Sequence, residues 1–504
     1  MFDYLSVRST FSLMKVLHSI WKWHPIKVGS ISITHVHTLS NEDLKKAEQR
    51  LSHATLPKSY INNGSVYVHW PYCRQRCSYC NFVKFIPHPN SYWTVQDNTL
   101  EHFMVKELEH SLQHSYITNV KSVYFGGGTP SLARPQMIEK VLETIQAVCS
   151  LEGNAEITLE VNPTSFETNK LKDFKSVGVN RVSIGVQALD ETSLRLLNRD
   201  HSVPEALHCI NIAKQLFPGR VSVDLIFGRP NQTTGSLVKE LETILSFCDN
   251  HISLYQLTLE RGTKLFNQHL SGEVKVPSAD QMADLYEVAV SLLGDSGFKR
   301  YEVSNFAHGC SAESVHNKSY WRGLQYIGIG PGAHSRVVPK NTIEKNNVVY
   351  NVYSSKCSEQ DKMWSGSRIY EENSFNPTIQ LSKNFFSCTI REARVNAADP
   401  ANWLREVQIK GSGVRKVTAQ TVLDIVSEYM ASGLRTSEGI TAEKWSMFLP
   451  QISLFDIFHE RTLWLQESKL LCVSKQGLKA TSIGLNVLDS ILPYLLNILE
   501  EKFI

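Results

Sequence analysis

From residue 65 onward the chain repeats one rhythm: a short apolar run rich in β-branched and aromatic residues, a turn, then apolar positions at helical spacing. The apolar runs predict strands at 65–70, 121–126, 155–161, 181–187, 220–227 and 251–259. The stretches at 99–110, 135–149 and 204–217 carry the amphipathic helical pattern. Strands alternating with helices predict an α/β fold built of successive βα units around a parallel sheet. A complete barrel has eight units, so six predict either a partial, open (β/α)6 barrel or a doubly wound sheet. Three polar residues interrupt these apolar strands near their C-terminal ends: Glu160, Gln187 and Asp224. Each alone could cap a turn. Three on successive strands point to one shared site at the rim where barrels place their working groups.

After residue 260 the rhythm breaks. One helix is expected at 279–296, then a glycine-rich stretch at 327–334, and no period at all from 340 to 389. Helices are expected again at 418–432, 455–467 and 482–499, with a short strand at 470–473 and a turn at 475–478 between the last two. Helices beside a small hairpin read as a winged-helix-like C-terminal module. It lacks a basic recognition helix, so its expected role is structural or partner-binding.

Composition narrows the class without naming a function. The chain has 504 residues, 42% hydrophobic and 20% charged, which is ordinary globular usage. Its formal charge of +3 gives no argument for nucleic-acid binding. No apolar run reaches the roughly 18 residues of a transmembrane helix. Residues 1–41 differ in kind, with Arg8, Lys15, Lys22 and Lys27 set against Asp3. On a helix, Arg8, Ser12, Lys15, Ser19 and Lys22 share a stripe opposite Leu13, Val16, Leu17 and Ile20, the pattern of a mitochondrial transit peptide. A structureless N-terminus is the alternative.

Of ten cysteines, three fall within eight positions, Cys73, Cys77 and Cys80, directly after the first expected strand. The other seven are scattered singly, which is no disulfide framework and reads as one metal site in a reducing compartment. Three thiolates on one loop can hold three corners of a [4Fe–4S] cubane and leave the fourth iron open. Zinc, with His69 or His88 as fourth ligand, is the other metal these residues permit, although structural zinc sites favour two separated pairs. After the second strand comes Gly126-Gly-Gly-Thr-Pro130, where backbone N–H groups can approach a carboxylate or amine without Cβ obstruction. His316 precedes Tyr320 and Trp321: the histidine can ligate heme iron and the rings can cover an apolar macrocycle, or His316 can be a packed, hydrogen-bonded connector residue.

The Cys-x3-Cys-x2-Cys run on the first βα loop resembles the signature of radical S-adenosylmethionine (SAM) enzymes. That resemblance implies a partial (β/α)6 barrel, a [4Fe–4S] cluster that binds the amino and carboxylate groups of SAM at its open iron, and reductive cleavage of SAM. The runs His69-Trp-Pro-Tyr-Cys73-Arg-Gln-Arg-Cys77-Ser-Tyr-Cys80-Asn-Phe82, Gly126 to Ser131, Glu160-Val-Asn-Pro163, Ser183-Ile-Gly-Val-Gln187 and Asp224-Leu-Ile-Phe-Gly228 together resemble the oxygen-independent coproporphyrinogen oxidase group. By that resemblance Cys73, Cys77 and Cys80 are the cluster ligands, and Tyr67, Tyr79, Gly127, Gly128, Thr129, Glu160, Gln187, Arg199 and Asp224 bind SAM.

Within the group, the oxidase pattern has another cysteine two residues after the third, where this chain has Phe82. Phenylalanine there, and the H-N-x-x-Y-W motif at 316–321, resemble the HemW-type heme chaperones. The implied partners are heme, bound through His316, heme-accepting proteins and a reductant for the cluster. The chain accordingly divides into a transit peptide and linker (1–60), barrel (61–300), heme-motif connector (301–340), irregular insertion (341–389) and C-terminal helical module (390–504).

Overall fold

The computed structural model describes residues 56–87, 97–340, 389–450 and 452–503. The expected transit peptide, His88 and nearly all of the 341–389 insertion lie outside these residues. The six expected strands are present as β1 Asn63–Trp70, β2 Asn119–Gly127, β3 Ser150–Val161, β4 Arg181–Gln187, β5 Val221–Phe227 and β6 His251–Gln256. They pair in parallel in sequence order. Helices Asp97–Gln113, Pro135–Val148, Ser165–Ser176, Val203–Leu216 and Thr234–Phe247 return the chain between them. Their starts are written locally. Ser202 accepts from Glu205 N while the Glu205 carboxylate accepts from Ser202 N, a capping box with Pro204 in the first turn.

Six further strands extend the sheet at both ends: β7 Lys299–Glu302, β8 Asn305–Ala307, β9 Gln325–Ile329, β10 His334–Val337, β11 Thr389–Asn396 and β12 Val414–Thr421. The full order is β12-β11-β10-β9-β1-β2-β3-β4-β5-β6-β8-β7, so the expected open arrangement, not the closed barrel, is formed. The strands β7, β8 and β10 are too short to show a period, and β12 is exposed along most of its length, so hydrophobic patterning does not announce them. β12 also occupies the start of the helix expected at 418–432, which begins at Val422.

Alternation along the strands sorts two faces. Val66, Val68 and Trp70, Val123 and Phe125, Ile157 and Leu159, Val182 and Ile184, and Val223 and Leu225 pack against the helices in one large core. The opposite face carries Ser65, Tyr67 and His69 of β1, Ser122 and Tyr124 of β2, Glu156, Thr158 and Glu160 of β3, Arg181 and Ser183 of β4, Ser222 and Asp224 of β5, and His251 and Ser253 of β6. Barrels of this class are commonly filled with branched aliphatics on that face. Here it is polar, and each buried polar group needs a partner.

A second core gathers Val422, Ile425, Val426, Tyr429, Trp445, Phe458, Leu495 and Ile498 around the C-terminal helices, and it takes in Tyr60, Ile61, Val338 and Ile390. A three-stranded sheet of β13 Ile440–Thr441, β14 Leu471–Ser474 and β15 Gly477–Ala480 completes it. The expected helix at 455–467 is Leu454–Phe458 and Leu463–Glu467 with a tight turn between, and the last is split into Ser482–Asn486 and Leu488–Phe503. Among the described residues no helix is long and apolar enough to cross a membrane.

Candidate functional site

The cysteine loop leaves β1 and is closed at its neck by Cys73 N donating to Phe85 O (3.0 Å) and Phe85 N donating to Pro71 O (2.8 Å). A segment that follows β4 clasps it from the side. Ser78 N donates to Leu197 O (3.0 Å), Ser78 Oγ to Leu196 O (2.8 Å), and Asn198 Nδ2 to Arg76 O (2.7 Å). From the same segment Arg199 donates to Cys77 Sγ (3.2 Å), to Gly185 O (2.9 Å) and to Asn162 Oδ1. Its buried Nε has no hydrogen-bond partner among the described residues. Tyr79 lies beside Arg199, Cys77 and Cys80, and burial raises its hydroxyl pKa. The Cys73 thiol is pushed up to about 11 by burial, opposed by a hydrogen bond with Thr129. Burial thus disfavours the Cys73 thiolate, and binding a metal there would release the thiol proton.

Three thiols on one clasped loop, with a guanidinium against one of them, fit an iron–sulfur cluster that takes no fourth protein ligand. Among the described residues no three His, Cys, Asp or Glu side chains converge as a single-ion cage. His69, one possible fourth ligand for zinc, is committed elsewhere: its Nε2 faces Val83 O at 2.7 Å and its Nδ1 faces the Tyr67 hydroxyl at 3.1 Å. Burial lowers its pKa to about 4, so it is neutral and donates from Nε2.

The N–H groups of the glycine run are already engaged within the protein. Gly127 N donates to Glu160 Oε2 (3.2 Å), Gly128 N to Trp70 O (2.7 Å) and Thr129 N to Tyr72 O (2.8 Å), so these N–H groups are spent inside the protein. A Cβ at Gly128 would lie 2.6 Å from Tyr72 O, and one at Gly127, where φ is +105°, 2.6 Å from the His69 ring. These glycines let β2 lie against the backbone entering the cysteine loop. A side chain at 128 therefore strikes the loop itself.

Beside this run, Glu160 accepts from the Tyr124 hydroxyl (2.9 Å), and burial raises its carboxyl to about 7, with Asp224 adding to the shift. Asp224 accepts from Ser183 Oγ (2.7 Å) and Ser222 Oγ (3.1 Å), and burial raises it as well. Gln187 closes β4 with a left-handed φ of 66°, a conformation that costs a non-glycine residue energy and is typical of built sites. Its amide lies over Gly185, where a Cβ would come within 2.9 Å. Tyr67 stacks on Tyr124 at 6.2 Å. The structure thus places Glu160 and Gln187 at the ends of β3 and β4 and Tyr79, Thr129 and Arg199 against the cysteine loop, while Tyr67 and Asp224 stand mid-strand on the same polar face, Asp224 in the centre of β5 and not near its end as expected. Sequence reasoning missed Tyr124 and Asn162. Both were visible in principle: Tyr124 shares the face of Glu160 by alternation, and Asn162 stands two residues beyond it.

His316 lies elsewhere, below this mouth. The helix Val315–Trp321 is fastened by Glu156, which accepts from Val315 N (3.1 Å) and His316 N (3.0 Å) and pairs with Arg181 and Arg220, each at 3.6 Å. The His316 side chain is 1% exposed, its Nδ1 facing Ser122 Oγ at 2.9 Å and its Nε2 the Tyr320 hydroxyl at 2.7 Å. Its ring stacks on Tyr124 at 4.9 Å, and burial lowers its pKa to about 3. Both nitrogens of the residue expected to ligate heme are occupied. To reach a heme iron, His316 must leave Ser122 or Tyr320.

The sequence profile described as the Radical SAM superfamily matches residues 67–244, the stretch that builds this mouth. Over 447 residues the chain is 43% identical to radical S-adenosyl methionine domain-containing protein 1, mitochondrial, of Danio rerio, covering 88% of this chain and 89% of that one. The chain belongs to that family. Heme chaperone HemW of Escherichia coli strain K12 is more distant from this radical SAM domain-containing protein 1 family member, 34% identical over 278 residues, 54% of this chain and 70% of the bacterial one. Among solved structures, coproporphyrinogen III oxidase (HemN) from Escherichia coli, a radical SAM enzyme, superposes with a TM-score of 0.63 over 88% of this chain and 92% of that one, at 18% identity. The radical SAM fold is therefore that of this family member, including the mixed sheet beyond the six parallel strands.

Proposed function

We propose that this chain is a mitochondrial, SAM-binding iron–sulfur protein that binds heme and hands it to acceptor proteins. The observation that carries the reading is the cysteine mouth. Three thiols are gathered with Glu160 and Arg199 at one end of a polar barrel, while Phe82, 56% exposed, stands where the oxidase pattern has a further cysteine. Cys73, Cys77 and Cys80 would hold the cluster. Glu160, Asp224, Gln187, Arg199, Tyr67, Tyr79, Thr129 and the Gly127–Gly128 turn would shape the SAM chamber, and cluster and SAM together supply one-electron chemistry when a reductant is present. Phe82, Ile86 and Phe166 are exposed on or against the cysteine loop, and Arg74 stacks over Phe166 at 4.1 Å. Apolar rings beside a cation suit a flat macrocycle bearing carboxylates. The relatives named as heme chaperones and as mitochondrial proteins support the cargo and the address.

The test is anaerobic reconstitution of the full chain, heme titration followed by the Soret band, and transfer to an apo-acceptor. Saturable heme binding with transfer supports the chaperone. The fold shared with the oxidase supplies the rival reading, and consumption of coproporphyrinogen with SAM and reductant would establish that enzyme instead. His316→Ala in the same titration decides its part: a lost Soret shift means that the histidine leaves the barrel to ligate iron, and unchanged affinity means that it stays in the interior.

A further inference from the structure

The floor and the mouth of the barrel are joined by one chain of contacts. His316 is held at three points, its backbone N on Glu156, its Nδ1 against Ser122 and its Nε2 against Tyr320. Ser122 in turn donates to Ser65, which bonds Ser319 at 3.0 Å, so the helix is tied to both β1 and β2. The His316 ring stacks at 4.9 Å and 25° on Tyr124, which stacks on its other neighbour Tyr67 at 6.2 Å and also 25°. The Tyr124 hydroxyl, held in place by those two rings, donates to Glu160 Oε1. Glu160's other oxygen accepts from Gly127 N, so the whole carboxylate is aimed by β2.

We propose that Tyr124 and His316 are positioning residues for Glu160: the H-N-x-x-Y-W helix is the floor of the SAM chamber, and it sets the orientation of the Glu160 carboxylate that binds SAM. The assignment rests on the SAM-binding role of Glu160. Neither residue touches SAM in this scheme. A carboxylate buried among tyrosines gains orientation from every fixed donor, and loss of one donor to a charged acceptor costs about tenfold in the affinity of a ligand that depends on it.

The experiment uses the full chain, anaerobically reconstituted, with SAM affinity measured by calorimetry and by the change that SAM makes in the reduced cluster's electron paramagnetic resonance spectrum. Tyr124→Phe, which keeps the stack and removes one hydroxyl, is expected to weaken SAM about tenfold at unchanged iron content, in a chain that still unfolds in one cooperative transition. His316→Ala should weaken it as well, and His316→Phe, which restores a ring over Tyr124, should recover most of the loss. Wild-type affinity and an unaltered SAM-induced spectrum in Tyr124→Phe would overturn the inference while leaving SAM binding intact. Absence of SAM binding in the wild type would instead overturn the reading on which it rests. Because Tyr124→Phe is nearly isosteric, the test holds even where His316→Ala fails to fold.

Discussion

The cysteine run and the H-N-x-x-Y-W run stand at opposite ends of the same strands and in opposite chemical states. At the mouth some capacity is left over: Cys77 and Cys80 are partly exposed, and the buried Nε of the otherwise bonded Arg199 is unpartnered among the described residues. At the floor nearly everything is spent, with both His316 nitrogens, Ser122, Ser65, Ser319 and Glu156 bonded to one another or to neighbours. The lesson concerns what a motif histidine or cysteine means. Residue type says which ligands a side chain could bind. Only its existing partners say what it costs to bind them.

The largest effect that could break this contrast lies at the mouth. Cys73→Ser, Cys77→Ser or Cys80→Ser should each abolish the broad iron–sulfur absorbance and most bound iron, whereas Cys209→Ser, in the helical core, should leave both in place. Stoichiometric iron in the triple Ser variant would erase the distinction. The floor should respond in stability instead. Glu156→Ala leaves Arg181 buried without its carboxylate and strips the connector helix of its N-terminal acceptor, a loss of about 3–5 kcal/mol by denaturant unfolding. A cost below about 1 kcal/mol would mean that the floor is as loosely held as the mouth.

A pH titration sharpens the comparison further. With its carboxyl raised to about 7, Glu160 is mostly protonated at pH 6 and mostly ionised at pH 8. A ligand N–H can donate to the Glu160 carboxylate only while that carboxyl is ionised, so SAM affinity should be roughly tenfold lower at pH 6 than at pH 8. His316, driven to about 3 by burial, contributes nothing to that window. A flat profile would show that Glu160 does not accept a hydrogen bond from the ligand. The smallest effect is at the rim: Phe82→Ala should alter stability by less than about 0.5 kcal/mol, because the ring is exposed, while weakening heme binding. Equal heme affinity would move the macrocycle away from the cysteine loop.

How much of this was legible follows from the physics of each element. The six parallel strands are, on their helix-facing side, runs of Val, Ile, Leu and Phe, and that regularity shows in the sequence. Glu160, Gln187 and Asp224 stood out as polar residues among them, and the cysteines by spacing. The antiparallel extensions β7, β8, β10 and β12 did not show, since they are short or lie at an exposed edge where no apolar period is imposed. The glycine run was found, yet the close backbone approach it permits was not: which carbonyl a missing Cβ makes room for depends on β1, a strand paired only in three dimensions. His316 shows the same limit, because nothing local reveals that Ser122, far upstream, supplies its partner.

The pairing of β1 has a consequence for how the molecule is made. One edge of Gly64–Val68 is covered by β2, soon after it in the chain, but the other is covered in parallel by Gln325–Ile329, after every other strand of the parallel series. A polypeptide that emerges from a ribosome, or enters an organelle, N-terminus first must keep that apolar edge unpaired until the connector arrives. During the interval β1 is a template for the wrong strand or the wrong chain. The yield of folded protein thus depends on how soon the connector reaches β1 as well as on final stability.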